Sequence, residues 1–176
     1  IFLYSLAQLN LLFNYLKAKK KIVNAPVYDL DNPDEIPFVT IQLPLYNELY
    51  VVKRLLDNIS KMDYPTNKME IQVLDDSTDE SLTETRKLIN NLRLEGLPIK
   101  HITRTNRVGF KAGALKEGLA IAKGDYIAIF DSDFVPKSDW LKKTVPYFKD
   151  PKVGVVQTRW AHLNRDYSIL TKIQAF

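Results

Sequence analysis

The stretch IAIFDSDFVPKSDW, residues 127–140, places two carboxylates directly behind a run of apolar residues. The run Tyr126–Phe130 predicts a buried β-strand. A carboxylate at the end of such a strand needs a cation, a proton or several N–H donors to compensate for its lost hydration. Asp131 and Asp133 therefore raise the question of which cation or chemistry keeps two acids at this point.

Apolar runs and stretches of helical periodicity alternate along the rest of the chain. Further strands are predicted over Phe38–Leu43, Met69–Leu74, Ile99–Ile102 and Val153–Gln157. Helices are predicted over Glu48–Ile59, Asp79–Leu94, Lys111–Ala122 and Ser138–Phe148, with Ser138 as an N-cap and Gly124 as a helix end. Strands that alternate with helices indicate βαβ units, so we expect an α/β fold with a mostly parallel sheet.

The composition narrows the kinds of site that the protein can contain. The chain has 176 residues and no cysteine, which excludes disulfides and thiolate metal sites. His101 and His162 are the only histidines, which argues against a zinc enzyme. The net charge of +4 suits phosphates or an anionic membrane surface and falls short of what a nucleic-acid-binding arm carries, so no nucleic-acid partner is expected.

The N-terminal segment has the pattern of a membrane-associated helix. Residues 1–16 contain no charged side chain, and four lysines follow within residues 17–21. We interpret residues 1–23 as a transmembrane or interfacial helix with a basic, cytoplasmic flank, although a helix docked on the core is an alternative. Residues 24–37 are an acidic linker that contains proline. The chain begins without Met and stops inside a helical pattern, so residues 38–176 are expected to be the N-terminal part of a longer domain.

Polar residues follow four consecutive predicted strands. In an open parallel sheet, ligands bind outside the carboxyl ends of the strands. The segments are PLYNE (Pro44–Glu48), DDS (Asp75–Ser77), TRTNRVGFKAG (Thr103–Gly113) and DSD (Asp131–Asp133). Taken singly, each segment has an ordinary interpretation as a helix cap, a turn or a solvated basic face. Together they place acids beside bases, as a substrate with phosphates and a divalent cation requires.

In this order and spacing, PLYNE, VLDDSTD, NRVGFKAGAL and IAIFDSDFVP resemble the catalytic domain of the family-2 glycosyltransferases, in the processive branch of the cellulose and mannan synthases. The resemblance covers about residues 37–176. It implies a GT-A fold, which is a Rossmann-like nucleotide-sugar-binding domain. It also implies metal-dependent, inverting transfer of a sugar from a nucleotide diphosphate to a growing glycan, at the cytoplasmic face of a membrane.

The resemblance also implies roles for individual residues. Asp131 and Asp133 would hold Mg²⁺ or Mn²⁺ on the diphosphate, and Lys111 with Arg107 would stabilise the leaving group. The residues implied to bind the nucleotide sugar are Pro44, Tyr46, Asn47, Glu48, Asp75, Asp76, Arg104, Lys111 and Asp131. The segment QTRW at 157–160 is one residue short of the family's acceptor motif and comes too early, so we interpret it as part of the strand that follows the DxD pair. The acceptor motif and the general base are expected beyond Phe176, so this fragment should not catalyse alone.

Other functions explain less of the pattern. No G-x-G-x-x-G follows a strand, which argues against a dinucleotide-binding site, and no Gly-Lys-Ser/Thr of a P-loop occurs. A haloacid-dehalogenase-like phosphatase would use Asp131 as a nucleophile, but its motif belongs to the first strand of its domain. A membrane-anchored domain that binds sugar nucleotides without catalysis is a further alternative.

Overall fold

The structure, a computed structural model, describes residues 2–19, 35–159 and 161–174. The chain divides into two compact units, Ile1–Pro146 and Tyr147–Phe176. The first unit contains a four-stranded sheet, and the second contains a short helix.

The sheet is entirely parallel, as the alternating pattern predicts. Its strands are β1 (Val39–Leu45), β2 (Met69–Asp75), β3 (Ile99–Thr103) and β4 (Tyr126–Ile129), in the spatial order β3-β2-β1-β4. The chain moves outward from β1 to β3 and then returns to place β4 on the other side of β1. The strand order therefore reverses beside β1, and ligands of open α/β sheets bind at such a switch point.

Six α-helices are described. They are α1 (Phe2–Lys19), α2 (Val52–Ile59), α3 (Ser81–Leu94), α4 (Phe110–Ala120), α5 (Trp140–Thr144) and α6 (Ile169–Gln174). Short 3₁₀ helices cover Thr66–Lys68 and Val145–Lys149. The hydrophobic core lies on one face of β1 and β2, where Ile41 and Ile71 are fully buried together with Leu55 and Ile59 of α2. Central strands buried on both faces are typical of parallel sheets.

The other face of β1 and β2 is buried but polar. Thr40 Oγ1 donates to Glu70 Oε1 at 2.9 Å, and Gln42 Nε2 donates to Gln72 Oε1 at 3.0 Å. Helix α4 packs on this face at Gly118, where an added Cβ would lie 2.7 Å from Gln42 Nε2. The missing side chain of Gly118 therefore lets α4 approach the sheet closely.

Helices of the first unit have different limits from those predicted, and α3 begins at Ser81 rather than at Asp79. Helix α2 begins at Val52, because Glu48 accepts the N–H groups of Val51 and Val52 with its backbone carbonyl and stands outside the helix. Helix α4 ends at Ala120, before Ala122. Gly124 is therefore not the residue that ends this helix. Its N–H donates to Thr40 Oγ1 at 2.9 Å, in a place where a Cβ would meet the Thr40 backbone nitrogen at 2.3 Å.

The predicted helix Ser138–Phe148 is shorter in the structure. Asp139, rather than Ser138, occupies the N-cap position. The α-helix ends at Thr144 and a 3₁₀ helix follows, since Pro146 has no N–H to continue the α-helical hydrogen bonds.

The predicted strand Val153–Gln157 is wrong. Residues 153–159 have no strand hydrogen bonding, and Val155 is 83% exposed. A strand needs a neighbour for its N–H and C=O groups, and the described residues of the second unit contain no other strand. The interpretation of QTRW as strand is therefore also corrected over 157–159, whereas Trp160 lies outside the described residues.

The N-terminal apolar run forms an 18-residue helix, α1, and many of its large apolar side chains are exposed, among them Phe2, Leu6 and Phe13. No helical stretch within the described ranges combines the length and the hydropathy needed to cross a bilayer. The predicted linker lies outside these ranges over residues 24–34.

Candidate functional site

The predicted site residues lie at the carboxyl ends of the four strands. Pro44 is in β1, opposite Leu74 of β2, and Glu48 is half-buried in the loop after β1. The remaining residues form three groups: a buried turn after β2, an arginine cluster in the loop between β3 and α4, and an ion pair between α4 and the turn after β4.

Asn47 joins the loops that follow β1 and β2. Its N–H donates to Ser77 Oγ at 2.9 Å, and its Oδ1 accepts the N–H of Thr78 at 2.9 Å. These bonds need a left-handed backbone at Asn47 (φ 56°), which asparagine tolerates better than most residues. Asn47 is therefore a link between two loops, and its side chain does not cap α2.

Asp75 supports the turn after β2 from inside the protein. Its side chain is fully buried, accepts the Ser77 N–H at 3.0 Å and lies 2.9 Å from His101 Nε2. Burial alone raises the pKa of Asp75, but the hydrogen bonds from His101 and Ser77 outweigh it and hold the pKa below its usual value. Asp75 thus offers no surface to a nucleoside in this structure, and of the two acids Asp76 is the better placed for that contact.

Arg104 links the turn after β2 to the loop that leads into α4. Its Nε donates to Asp76 Oδ1 at 2.8 Å, and one terminal nitrogen donates to Asp76 Oδ2. The remaining terminal N–H groups donate to the carbonyls of Val108 and Phe110 and to the carboxylate of Glu117. All five donors of the guanidinium are therefore used within the protein. The Asp76 bonds also raise the pKa of Arg104. With 4% of its side chain exposed, Arg104 holds Asp76 and does not face a ligand.

The guanidinium of Arg107 lies over an aromatic ring at the rim. Its guanidinium carbon is 3.4 Å from the centroid of the Tyr46 ring and 5.5 Å from that of Phe110. Its Nε is 3.9 Å from Asp76 Oδ2, beyond hydrogen-bonding distance. Within the part of the chain that the structure describes, this buried Nε has no hydrogen-bond partner.

The segment GFKAG forms a tight entry into α4. Gly109 (φ 76°) and Phe110 (φ 48°) both have left-handed backbones, and Gly113 N–H donates to the Gly109 carbonyl at 2.9 Å. An added Cβ at Gly113 would lie 2.0 Å from the Val108 carbonyl oxygen. The two glycines therefore let the loop fold back on the helix and set Lys111 on its first turn.

Lys111 forms an ion pair with Asp131 at the end of β4. The Asp131 carbonyl accepts the N–H of Phe134 at 3.1 Å in the following turn, and Asp133 is exposed on this turn. Among the described residues, no group of three or more His, Asp or Glu side chains is placed to hold an ion. A pair of carboxylates nevertheless fits Mg²⁺ or Mn²⁺ where substrate phosphates complete the oxygen shell. In this structure the positive charge beside Asp131 is the ammonium group of Lys111.

Sequence reasoning missed the supporting residues Ser77 and His101. From the sequence, His101 is considered only as a zinc ligand. Its place in the predicted strand Ile99–Ile102, next to the strand that ends at Leu74, was a signal that it lies near the Asp75 carboxylate. The stacking of Arg107 on Tyr46 has no sequence signal, since 61 positions separate the two residues.

The chain is similar to known glycosyltransferases. The sequence model of the family described as "Glycosyl transferase family 2" matches residues 40–174. The chain is 43% identical over 145 residues to Probable glucomannan 4-beta-mannosyltransferase 7 of Oryza sativa subsp. japonica, covering 80% of this chain and 25% of that protein. It is 41% identical over 143 residues to Glucomannan 4-beta-mannosyltransferase 9 of Arabidopsis thaliana, covering 78% and 27%. The chain thus spans about a quarter of the length of these curated relatives.

A solved structure is also similar. It is a mannosyltransferase from Pyrobaculum calidifontis in complex with GDP-Man and Mn²⁺, with a TM-score of 0.66 and 33% sequence identity. The match covers 89% of this chain and 44% of that one. All four strand-end segments, from Pro44 to Asp133, lie inside the family match.

Proposed function

This chain belongs to glycosyl transferase family 2, and from that membership we propose that it is the donor-binding part of an enzyme that transfers mannose from GDP-mannose to a growing glycan. The membership and the α/β GT-A fold were both predicted from the sequence and are confirmed. The phosphatase alternative no longer applies. The proposed donor and acceptor rest on the names of the relatives and on the GDP-Man complex of the similar structure.

The observation that carries the proposal is the juxtaposition of cations and carboxylates at the switch point of the sheet. Tyr46 and Asp76 are assigned to the nucleoside, because they lie together at the ends of β1 and β2. Lys111 and Arg107 are assigned to the diphosphate. Asp131 and Asp133 are assigned to a divalent cation shared with that diphosphate.

We propose an inverting reaction, which is a single displacement at the sugar carbon. It needs a base to deprotonate the acceptor hydroxyl and positive charge to stabilise the departing diphosphate. The bound cation supplies part of that charge. Lys111 supplies more once its ammonium leaves Asp131 for a phosphate oxygen. None of the residues described here is assigned as the general base.

Calorimetry tests the donor site. GDP is titrated into the protein with Mn²⁺ and again after addition of EDTA, and we expect binding to weaken strongly without the metal. Asp133→Asn should remove the metal-dependent part, because it replaces a charged ligand by a neutral one. Asp57→Asn on the exposed side of α2 is the matched control and should bind like the wild type. Equal affinity with and without metal would refute the metal assignment.

Turnover is tested on the full-length protein. Transfer of mannose from GDP-mannose to a β-mannan oligosaccharide is the expected activity. Metal-dependent GDP binding without any transfer or donor hydrolysis would instead favour the non-catalytic, sugar-nucleotide-binding alternative.

We also propose that α1 lies on the cytoplasmic surface of a membrane. Its exposed side chains include Phe2, Leu6, Phe13 and Leu16, and Lys17 follows them. An apolar helix with a basic flank is suited to an anionic interface, where each basic residue contributes about 1 kcal/mol. The protein should float with anionic liposomes, and more weakly at high salt. Absence of flotation at low salt would refute the membrane site.

A further inference from the structure

We infer that Arg107 covers the face of the Tyr46 ring that receives the nucleobase, so that donor binding exchanges the guanidinium for the base. The inference rests on the proposed function, because it concerns how the same donor site changes when it fills. It assigns Arg107 two successive partners, the Tyr46 ring in the free protein and the diphosphate in the complex.

The stacking geometry is the first observation. The guanidinium carbon lies 3.4 Å from the ring centroid of Tyr46, about the 3.4 Å spacing of stacked bases in a nucleic-acid strand. A guanidinium is planar and delocalised, so it occupies a ring face as a base does. Tyr46 is 43% exposed at the rim, where a ligand can reach it. Arg107 therefore fills the volume above Tyr46 that a stacked base requires.

The second observation is that Arg107 is incompletely bonded where it lies. Its Nε is buried without a hydrogen-bond partner in the described part of the chain, and the carboxylate oxygen Oδ2 of Asp76 is 3.9 Å away. Both oxygens of Asp76 already accept from Arg104. A buried donor left unpaired is costly and calls for an explanation. Arg107 is thus held mainly by the ring and by attraction to Asp76.

The contrast with Arg104 separates a fixed residue from a displaceable one. Arg104 uses all of its donors, and 4% of its side chain is exposed, whereas 32% of the Arg107 side chain is exposed. Both residues attract Asp76, so the carboxylate keeps a close counter-charge if Arg107 leaves. Displacement of Arg107 therefore does not leave the buried Asp76 carboxylate without a counter-charge.

The backbone of the same turn is strained. The Phe110 N–H donates to the Arg107 carbonyl at 2.9 Å, and Phe110 has a φ of 48°. A left-handed backbone at a bulky residue is an outlier, and such strain is concentrated at functional sites. The turn that carries Arg107 therefore has a reason to change conformation when a ligand takes over its contacts.

Nuclear magnetic resonance tests the exchange directly. The side-chain protons of Arg107, assigned by their loss in Arg107→Lys, should be shifted upfield by the Tyr46 ring in the free protein. The shift should be absent in Tyr46→Leu and should disappear when GDP with Mg²⁺ saturates the wild type. Persistence of the shift in the saturated protein would overturn the inference. It would leave the proposed function intact, since GDP would still have bound.

Affinities give a second, independent test with guanosine, which has no phosphate. Loss of the competing stack should make guanosine bind Arg107→Ala about two- to fivefold more tightly than the wild type, measured by competition with GDP. Arg54→Ala, an exposed arginine of α2, should not change guanosine affinity, and the gain should vanish in a Tyr46→Leu background. Equal or weaker guanosine binding by Arg107→Ala would refute the exchange. Failure of the wild type to bind GDP with metal would instead refute the proposed function, and the inference with it.

Discussion

Replacement of Asp76 by alanine should destabilise the first unit severely, because it removes the counter-charge of a buried arginine. Arg104 and Asp76 have side chains that are 4% and 5% exposed, and they share two hydrogen bonds. In Asp76→Ala the guanidinium keeps the carboxylate of Glu117 at 3.3 Å, but that carboxylate is 56% exposed and its attraction is screened by water.

The expected magnitude follows from this burial. Removal of one partner of a buried ion pair costs about 3–5 kcal/mol, which is a large part of the roughly 5–15 kcal/mol that stabilises a typical domain. The matched control is Asp57→Ala, which breaks the pair between Lys53 and Asp57 on the surface of α2. There the side chains are 68% and 46% exposed, and the expected loss is about 0.5 kcal/mol or less.

Urea unfolding followed by far-UV circular dichroism measures both variants against the wild type. Asp76→Asn keeps the shape of the side chain and serves as a milder variant if Asp76→Ala does not fold. The loss in free energy of unfolding should be much larger for Asp76→Ala than for Asp57→Ala. Equal losses in the free energy of unfolding for Asp76→Ala and Asp57→Ala would refute the stabilising role of the buried Arg104–Asp76 ion pair.

Three further changes test other parts of the structure. Gly118→Ala should cost about 1–3 kcal/mol in urea unfolding, since its Cβ would lie 2.7 Å from Gln42 Nε2, whereas Gly154→Ala, with no atom within 4 Å, should stay within about 0.5 kcal/mol. Lys111→Met should bind Mn²⁺ alone about two- to fivefold more tightly than the wild type, because the Lys111–Asp131 ion pair no longer competes for the carboxylate. It should bind GDP with Mn²⁺ more weakly. Calorimetry that finds both affinities unchanged would contradict the assignment of Lys111 to the diphosphate. Burial raises the pKa of Asp75, but hydrogen bonds hold this pKa below its ordinary value of 3.8. The ionised carboxylate therefore stabilises the fold above pH 3.8, and this contribution is lost as the pH falls through the pKa of the folded state. Asp75→Asn should therefore be less stable than the wild type near neutral pH, with a gap that narrows below about pH 4, and a gap independent of pH would contradict this.

The fold was predictable because its signals are local. Each strand of the sheet is a short segment that contains two or more of Ile, Val, Leu and Met and is followed by polar residues, and α2 has a clear apolar face. The limits of the helices were less predictable, because they depend on contacts between distant segments. Asn47 leaves the start of α2 to bond Ser77 and Thr78, and Gly124 serves a close approach to Thr40. No pattern around either residue contains that information.

The sequence was enough to predict which loops form the candidate site. It was less informative about the role of each side chain in that site. Asp75 and Asp76 are adjacent and chemically identical, yet Asp75 is buried against His101 and Asp76 is buried against Arg104. Successive residues of a strand point to opposite faces, so adjacent acids at a strand end receive different environments. Roles therefore have to be assigned from burial and partners.

The two arginines of the β3–α4 loop also have different roles, which their charge alone does not predict. A motif with Arg104, Arg107 and Lys111 suggests three cations directed at one anionic ligand. In the structure Arg104 neutralises Asp76, Arg107 stacks on Tyr46 and Lys111 pairs with Asp131, so each cation already has a partner. A charged donor and its metal must then compete with these internal contacts. Because Arg107 and Lys111 are the more exposed and less completely bonded of the three, they are the ones we expect to change partners, while Arg104 keeps the site in place.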